Sequence, residues 1–146
     1  MLDRRAVVSS AAAFAGLAAT ATLAEANEAP GTSADTKPRD SCIDLCLASH
    51  RQCLSTASYL IGNDRTPASK LLIPTLLDCA ELCQATANSM IRNSPQHMLF
   101  CDACAQLCET CAESCQVHGE DIVLRNCAAV CRTCALVCRD MARMPM

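Results

Sequence analysis

From residue 40 onward, apolar and small residues recur at gaps of three and four, the spacing that lines one side of an α-helix. Polar breakers cut this pattern into four segments. The first runs from Asp40, with Asp40 or Ser41 as its cap, to about Ile61, where Gly62-Asn63-Asp64 ends it. The second spans about Pro67 to Arg92. Pro74 lies inside it and lacks an N–H, which predicts a kink there or a separate short turn before Thr75. Asn93-Ser94-Pro95 then supplies a stop, a cap and a proline for a first helical position. The third segment runs from Pro95 to about Val117 and stops at Gly119, and the fourth from about Glu120 to Met144. Short connections make successive helices antiparallel neighbours. The pattern therefore predicts an all-α fold, an antiparallel up-down-up-down four-helix bundle.

The inward stripes are filled in an unusual way. At about 100° per residue, Cys42, Cys46 and Cys53 share one stripe with Ala57 and Leu60. On the second helix Leu72, Cys79, Cys83, Thr86 and Met90 align. The third carries Cys101, Cys104, Cys108, Cys111 and Cys115 in one arc with His97 at its centre. The fourth aligns Cys127, Cys131, Cys134 and Cys138. All 14 cysteines of the chain thus fall on inward faces, where leucine ordinarily sits. Asp44, Arg51, Glu81, Asp102, Glu109, Arg132 and Arg139 occupy the opposite faces, as solvent-facing sides require. The alternation of three and four suits left-handed bundle packing around a cysteine-lined core.

Composition sharpens this picture. Outside the first 26 residues the aromatics are Tyr59 and Phe100, so burial must come from aliphatic residues, methionine and cysteine. A formal net charge of −3 gives no basis for a nucleic-acid partner. Residues 1–26 differ from the rest: Arg4-Arg5 precede an uncharged, alanine-dominated stretch from Ala6 to Ala24, followed by Ala24-Glu25-Ala26. This reads as an export signal cut after Ala26, of the twin-arginine or the ordinary secretory kind, and places the mature protein in the periplasm. The stretch is too weakly apolar for a membrane span. Residues 27–39, polar and containing Pro30, Gly31 and Pro38, are expected to form a disordered leader, and residues 40–146 the bundle.

Three chemistries account for buried thiols. A short exported chain dense in cysteine can be a disulfide-stapled structural or interaction protein. Disulfides, however, need Cα atoms about 4.4–6.8 Å apart, and helices packed about 8–10 Å apart meet that only at chosen points. Zinc or an iron–sulfur cluster is a second possibility, since Cys101/Cys104, Cys108/Cys111 and Cys131/Cys134 have a two-residue gap. Each pair lies within a helical ladder, though, with no turn to form a zinc knuckle. Cu(I) is the third. It is soft, prefers thiolate and thioether, and accepts low coordination numbers. Cysteines at i and i+4 have Cβ atoms about 5–6 Å apart and can close on one ion. About one Cu(I) per thiolate keeps an apolar lumen near neutrality, which neither bare thiolates nor bare cations would do. The periodicity itself leads to a thiol-lined bundle with soft-metal chemistry. The stapled scaffold remains the alternative.

The repeated Cys-x-x-x-Cys pairs Cys42/Cys46, Cys79/Cys83, Cys104/Cys108, Cys111/Cys115, Cys127/Cys131 and Cys134/Cys138 carry a resemblance. Over Asp40 to Met144 the chain resembles the bacterial copper storage proteins, cysteine-lined four-helix bundles whose exported members carry twin-arginine signals. The resemblance implies storage of many Cu(I) ions along the bundle axis and assembly as a homotetramer. A copper chaperone or client cuproenzyme is the partner such a store would need.

Antiparallel order also gives the tube two different ends. One collects Tyr59, Leu60, Leu72, Leu76, Val123 and Leu124, an aliphatic plug. The other collects Met90, His97, Met98, Met141 and Met144 beside Cys42, Cys101 and Cys138. Thioether and imidazole hold Cu(I) more weakly than thiolate does and exchange it without a proton. Met90 and His97 are therefore the candidate ligands of an entry mouth, while Met141 and Met98 point progressively further from the stripe. His50 reads as a flanking residue, and His118 as a histidine beside a helix C-terminus. No cysteine stands apart with a base and an orienting partner, so a non-enzymatic role is expected.

Overall fold

A computed structural model describes residues 36–63, 67–117 and 120–145. The export signal and the first nine residues of the leader lie outside the described residues. Among the described residues four helices follow one another: α1 (Thr36–Asn63), α2 (Pro67–Ile91), α3 (His97–Gln116) and α4 (Ile122–Met141). Neighbouring pairs α1·α2, α2·α3, α3·α4 and α1·α4 pack together, while the backbones of the diagonal pairs stay apart among the described residues and only their lumen side chains meet. That closed ring is the up-down-up-down bundle. Its antiparallel sense is visible at both ends. Arg39, near the start of α1, donates to the Asn93 side chain just beyond α2. Tyr59, near the end of α1, donates through its hydroxyl to Asp121 Oδ2 at 3.0 Å, just before α4.

The element boundaries follow from local chemistry. α2 ends in a Schellman motif: Asn93 takes φ 52°, Ser94 N–H donates to the Ser89 carbonyl, and Asn93 N–H donates to the Met90 carbonyl, each at 3.0 Å. Asparagine tolerates this left-handed conformation better than most residues. The Ser94 hydroxyl accepts from Gln96 N–H at 3.3 Å, so it caps the turn that leads into α3. α4 opens on Asp121, whose carboxylate accepts from the backbone N–H groups of Val123 (2.8 Å) and Leu124 (3.4 Å). The sequence reading had placed that start at Glu120 without recognising the cap.

Two expectations are corrected. α1 begins at Thr36, not Asp40, so the last four residues assigned to the leader are helical and neither Asp40 nor Ser41 is the cap. Pro38 falls in the first turn, where its missing N–H has no helical partner to lose. α2 runs without a break through Pro74, so no separate turn forms. Pro74 is exposed, and on a solvent face a carbonyl that loses its helical partner can be served by water.

The core is built from the inward stripes and contains every cysteine, each fully buried. Small alanines, among them Ala80, Ala87, Ala105, Ala112, Ala128 and Ala135, stand beside the cysteines and are buried too. They allow the helices to close around a sulfur column. Arg139 pairs with Glu109 and Arg132 with Gln116, tying α4 to α3 on the outside. Among the described residues, no helix is long and apolar enough to cross a membrane.

Candidate metal centre

Each helix contributes a ladder with one inward residue per turn. On α1 the ladder is Cys42, Cys46, Ser49, Cys53 and Thr56, ending at Leu60. On α2 it reads Leu72, Leu76, Cys79, Cys83, Thr86 and Met90. On α3 it is His97 followed by the five cysteines from Cys101 to Cys115. On α4 it is Leu124, Cys127, Cys131, Cys134, Cys138 and Met141. All of these side chains are buried. Facing ladders bring the sulfurs into contact. Cys46 Sγ lies 3.5 Å from Cys138 and 3.8 Å from Cys134. Cys83 lies 3.4 Å from Cys108 and 3.6 Å from Cys104. Cys53 lies 3.6 Å from Cys131 and 4.0 Å from both Cys111 and Cys127. Cys79 lies 3.6 Å from Cys108, and Cys42 lies 3.6 Å from Cys138.

These separations have a definite chemical meaning. A disulfide holds its sulfurs about 2.05 Å apart, and all 14 cysteines here are free. A metal–thiolate bond of about 2.3 Å puts the sulfurs about 4.0 Å apart around a trigonal ion and about 4.6 Å apart across a linear one. The sulfur contacts fall at or just below those values. Sulfurs gather in sets of three or four, each set within 4.8 Å: Cys46, Cys104, Cys134 and Cys138; Cys83, Cys104, Cys108 and Cys134; Cys53, Cys79, Cys111 and Cys131; and Cys111, Cys115 and Cys127. Sharing of Cys104, Cys134 and Cys111 between sets is what bridging thiolates need to link ions into clusters. A lone structural zinc would use one closed set of four.

Electrostatics divides the thiols. Cys104 is held well below the ordinary thiol range by hydrogen bonds from Cys108, Cys134, Cys138 and Cys46. Cys131 is lowered likewise by Cys108, Cys111, Cys127 and Cys53. Each can carry a negative charge because surrounding S–H groups donate to it. Those donors are held protonated in turn. Contacts with Cys108, Cys111 and Cys131 raise Cys79, and contacts with Cys104 and Cys134 raise Cys46. At the two ends, Cys101 and Cys115 are each pushed up to about 12. For Cys101 the hydrogen bond from Cys138 pulls down, but Cys42 and burial outweigh it. For Cys115 the bond from Cys111 pulls down, and Cys127 and burial outweigh it. A core containing a few thiolates among many thiols stays neutral enough to bury. It must release protons as cations enter.

The two ends differ as their sequences imply. Leu60, Leu72, Leu76 and Leu124 are buried at one end, with Tyr59 and Val123 packed half-buried beside them. At the other, Met90 Sδ lies 3.8 Å from Cys101 Sγ, and Met90, His97 and Met141 are buried. Met98 is exposed, and Met144 keeps its side chain outside. His97 Nε2 lies 2.8 Å from the Met144 carbonyl, so the end of the chain covers the imidazole. His50 sits on the α1–α2 seam, its Nδ1 2.9 Å from the Ala80 carbonyl, away from the sulfurs. His118 lies outside the described residues. Two lumen residues were under-read in the sequence. Met141, placed off the stripe, is buried with the core. Ser49 occupies a ladder rung, its Oγ 3.5 Å from Cys131 and 3.9 Å from Cys108. The gaps 42–46–49–53 mark Ser49 as a rung, but a search for sulfur passes over it.

A family model described as copper storage protein matches residues 35–143. The chain belongs to the copper storage protein family. Solved structures agree. A Cu(I)-bound copper storage protein, BsCsp3, is 28% identical with a TM-score of 0.68, covering 72% of this chain and 98% of its own. A cytosolic copper storage protein from Streptomyces lividans, solved during copper loading with five coppers, is 27% identical with a TM-score of 0.72, covering 77% and 98%. A Nitrosospira multiformis protein is 30% identical with a TM-score of 0.66, covering 73% and 96%. No curated protein matches the chain. Within this copper storage family, membership accounts for the cysteine ladders, the free thiols and the shared sulfur sets together. The stapled scaffold is not favoured.

Proposed function

We propose that the chain stores many Cu(I) ions per molecule on the thiolates of its 14 core cysteines, with Met90 and His97 as exchange ligands at the mouth. The observation that carries this reading is the run of shared sulfur sets at metal-bridging distances along one buried tube. Each entering Cu(I) displaces a thiol proton, so filling leaves the lumen near neutral and capacity approaches the cysteine count. Thioether and imidazole at the methionine-rich end pass copper to and from a chaperone or client cuproenzyme, because their bonds to Cu(I) exchange without a proton. Storage needs no substrate turnover, and the role is non-enzymatic.

The protein is exported to the periplasm and works there as a homotetramer. Export is supported by Arg4-Arg5, the alanine-rich stretch and Ala24-Glu25-Ala26, and by the family match, which starts only at residue 35. A twin-arginine route lets the bundle fold where thiols stay reduced, so the buried sulfurs cross into an oxidising space already protected. The tetramer rests on the family resemblance alone. An anaerobic Cu(I) titration of the mature chain against a strong chelator, with thiols counted on the same sample, tests the storage reading. More than about ten tightly held ions per chain upholds it. A load of two to four ions indicates zinc-like sites. A thiol count near zero without added reductant restores the stapled scaffold.

A further inference from the structure

The four sulfur sets fall into two families. Two of them share Cys104 and Cys134 and draw on Cys46, Cys83, Cys108 and Cys138. This outer bank continues through Cys42, 3.6 Å from Cys138, and through Cys101 beside Met90, to the methionine end. The other two sets share Cys111 and draw on Cys53, Cys79, Cys115, Cys127 and Cys131. This inner bank lies toward the leucine plug. None of the four sets mixes the banks. The boundary falls at the rung where α1 carries Ser49 in place of a cysteine. The Ser49 hydroxyl is fully buried and reaches one sulfur of each bank, Cys108 at 3.9 Å and Cys131 at 3.5 Å.

Its chemistry makes this rung a break. A serine hydroxyl is a hard oxygen that stays protonated and does not bridge Cu(I) as a thiolate does. It donates a hydrogen bond to a thiolate instead, which occupies a lone pair that would otherwise bind copper. With a single proton it serves one sulfur at a time, Cys131 being the nearer. Two other hydroxyls on lumen rungs, Thr56 and Thr86, behave differently: Thr56 accepts from Gln52 Nε2 at 3.3 Å, and Thr86 is held by backbone. The Thr86 Oγ1 lies 2.7 Å from the Leu82 carbonyl and 3.3 Å from the Phe100 carbonyl. Of these three, Ser49 is the one held against sulfur from both banks. On the α1 side the column is therefore interrupted, and sulfur-to-sulfur continuity between the banks passes through Cys108, which stands 3.6 Å from Cys79 and also hydrogen-bonds Cys131.

We propose that Ser49 divides the copper store into two thiolate banks that fill as separate cooperative units, with Cys108 and Cys79 as the crossing between them. This rests on the storage reading above. At the crossing a Cu(I)–Sγ bond to Cys79 forms as the bond to Cys108 breaks. The Cys79 proton passes to the Cys108 sulfur or to solvent, and copper remains Cu(I), so no electron moves. Bridging thiolates within a bank make each added ion favour the next. Across Ser49 that coupling is weak, and a half-loaded chain holds one bank nearly full and the other nearly empty.

The test loads the mature protein anaerobically with Cu(I) to half its measured capacity. Native mass spectrometry counts ions per chain, and alkylation with peptide mapping reports which cysteines stay protected. Expected is a species carrying one filled bank, with protection differing between banks by about fivefold or more, the low end of a cooperative coupling. Ser49→Cys supplies the missing bridge and brings the banks to within about twofold of each other, while Ser49→Ala keeps the split. Even protection over all 14 cysteines in the natural protein overturns the division, and so does a split that survives in Ser49→Cys. A natural protein that saturates with only a few ions refutes storage itself. Full capacity with even protection at half load refutes only the two banks.

Discussion

The methionine end and the leucine end of the tube close the same column by opposite means. At the leucine end Leu60, Leu72, Leu76 and Leu124 are buried and offer copper no donor. At the methionine end Met90, His97 and Met141 are as deeply buried and offer two thioethers and an imidazole beside Cys42, Cys101 and Cys138. Burial alone does not distinguish a plug from a mouth. Donor chemistry does, because a soft ion crosses a layer of exchanging ligands and not a layer of hydrocarbon.

Substitution at the two ends should dissociate rate from stability. The largest effect expected is on loading. Met90→Leu with His97→Leu should slow Cu(I) uptake about tenfold or more, a barrier increase of about 1.4 kcal/mol, while final capacity changes by no more than about one ion. Stopped-flow mixing with a coloured Cu(I)–chelator complex reads the rate. Unchanged uptake would place the entrance elsewhere. At the plug, Leu76→Ala should destabilise the apo protein by about 2–5 kcal/mol through the cavity it leaves, whereas Met90→Leu, a near-isosteric swap, should cost below about 1.5 kcal/mol. Urea unfolding of the reduced apo proteins compares them, and uptake by Leu76→Ala should stay within about twofold of the natural rate.

A pH series sharpens the comparison further. Cys101 at the methionine end and Cys115 toward the leucine end are both pushed up to about 12 when folded, against an ordinary value near 9.0. Groups raised in this way stabilise the fold fully below pH 9 and lose that contribution as pH climbs from 9 to 12, because the unfolded chain sheds those protons first. The apo urea midpoint should fall across that window. The copper-loaded protein, whose sulfurs have already given up their protons, should show a flatter profile. The smallest effect concerns the chain end over His97. Removing residues 144–146 takes away the carbonyl 2.8 Å from Nε2. A hydrogen bond of this kind contributes about 1 kcal/mol net, so uptake should quicken by no more than about fivefold.

Much of the fold was legible because helical periodicity is a local property. Gaps of three and four placed Cys101 to Cys115 on one face whatever the neighbours did, and Asn93-Ser94-Pro95 announced the stop of α2, though α3 begins at His97 with no side-chain cap rather than at Pro95. Boundaries were less legible. Pro38 hid the early start of α1, and the carboxylate of Asp121 was not recognised as the cap of α4. Pro74 suggested a break that did not form, since a proline on the solvent face of a well-packed helix disturbs only a carbonyl that solvent can serve. Met141 was misjudged because an ideal wheel drifts from the course of a supercoiled helix near its end.

The sequence by itself determined that fourteen sulfurs face inward on four helices and that one end of the tube carries methionine and histidine, because side-chain direction follows from position along a helix. Only the tertiary structure decided which sulfurs meet. The relative height of facing ladders depends on how four helices pack, and no local pattern encodes it. That packing set Cys46 against Cys138 and Cys83 against Cys108, drew the end of the chain over His97, and held the hydroxyl of Ser49 between Cys108 and Cys131.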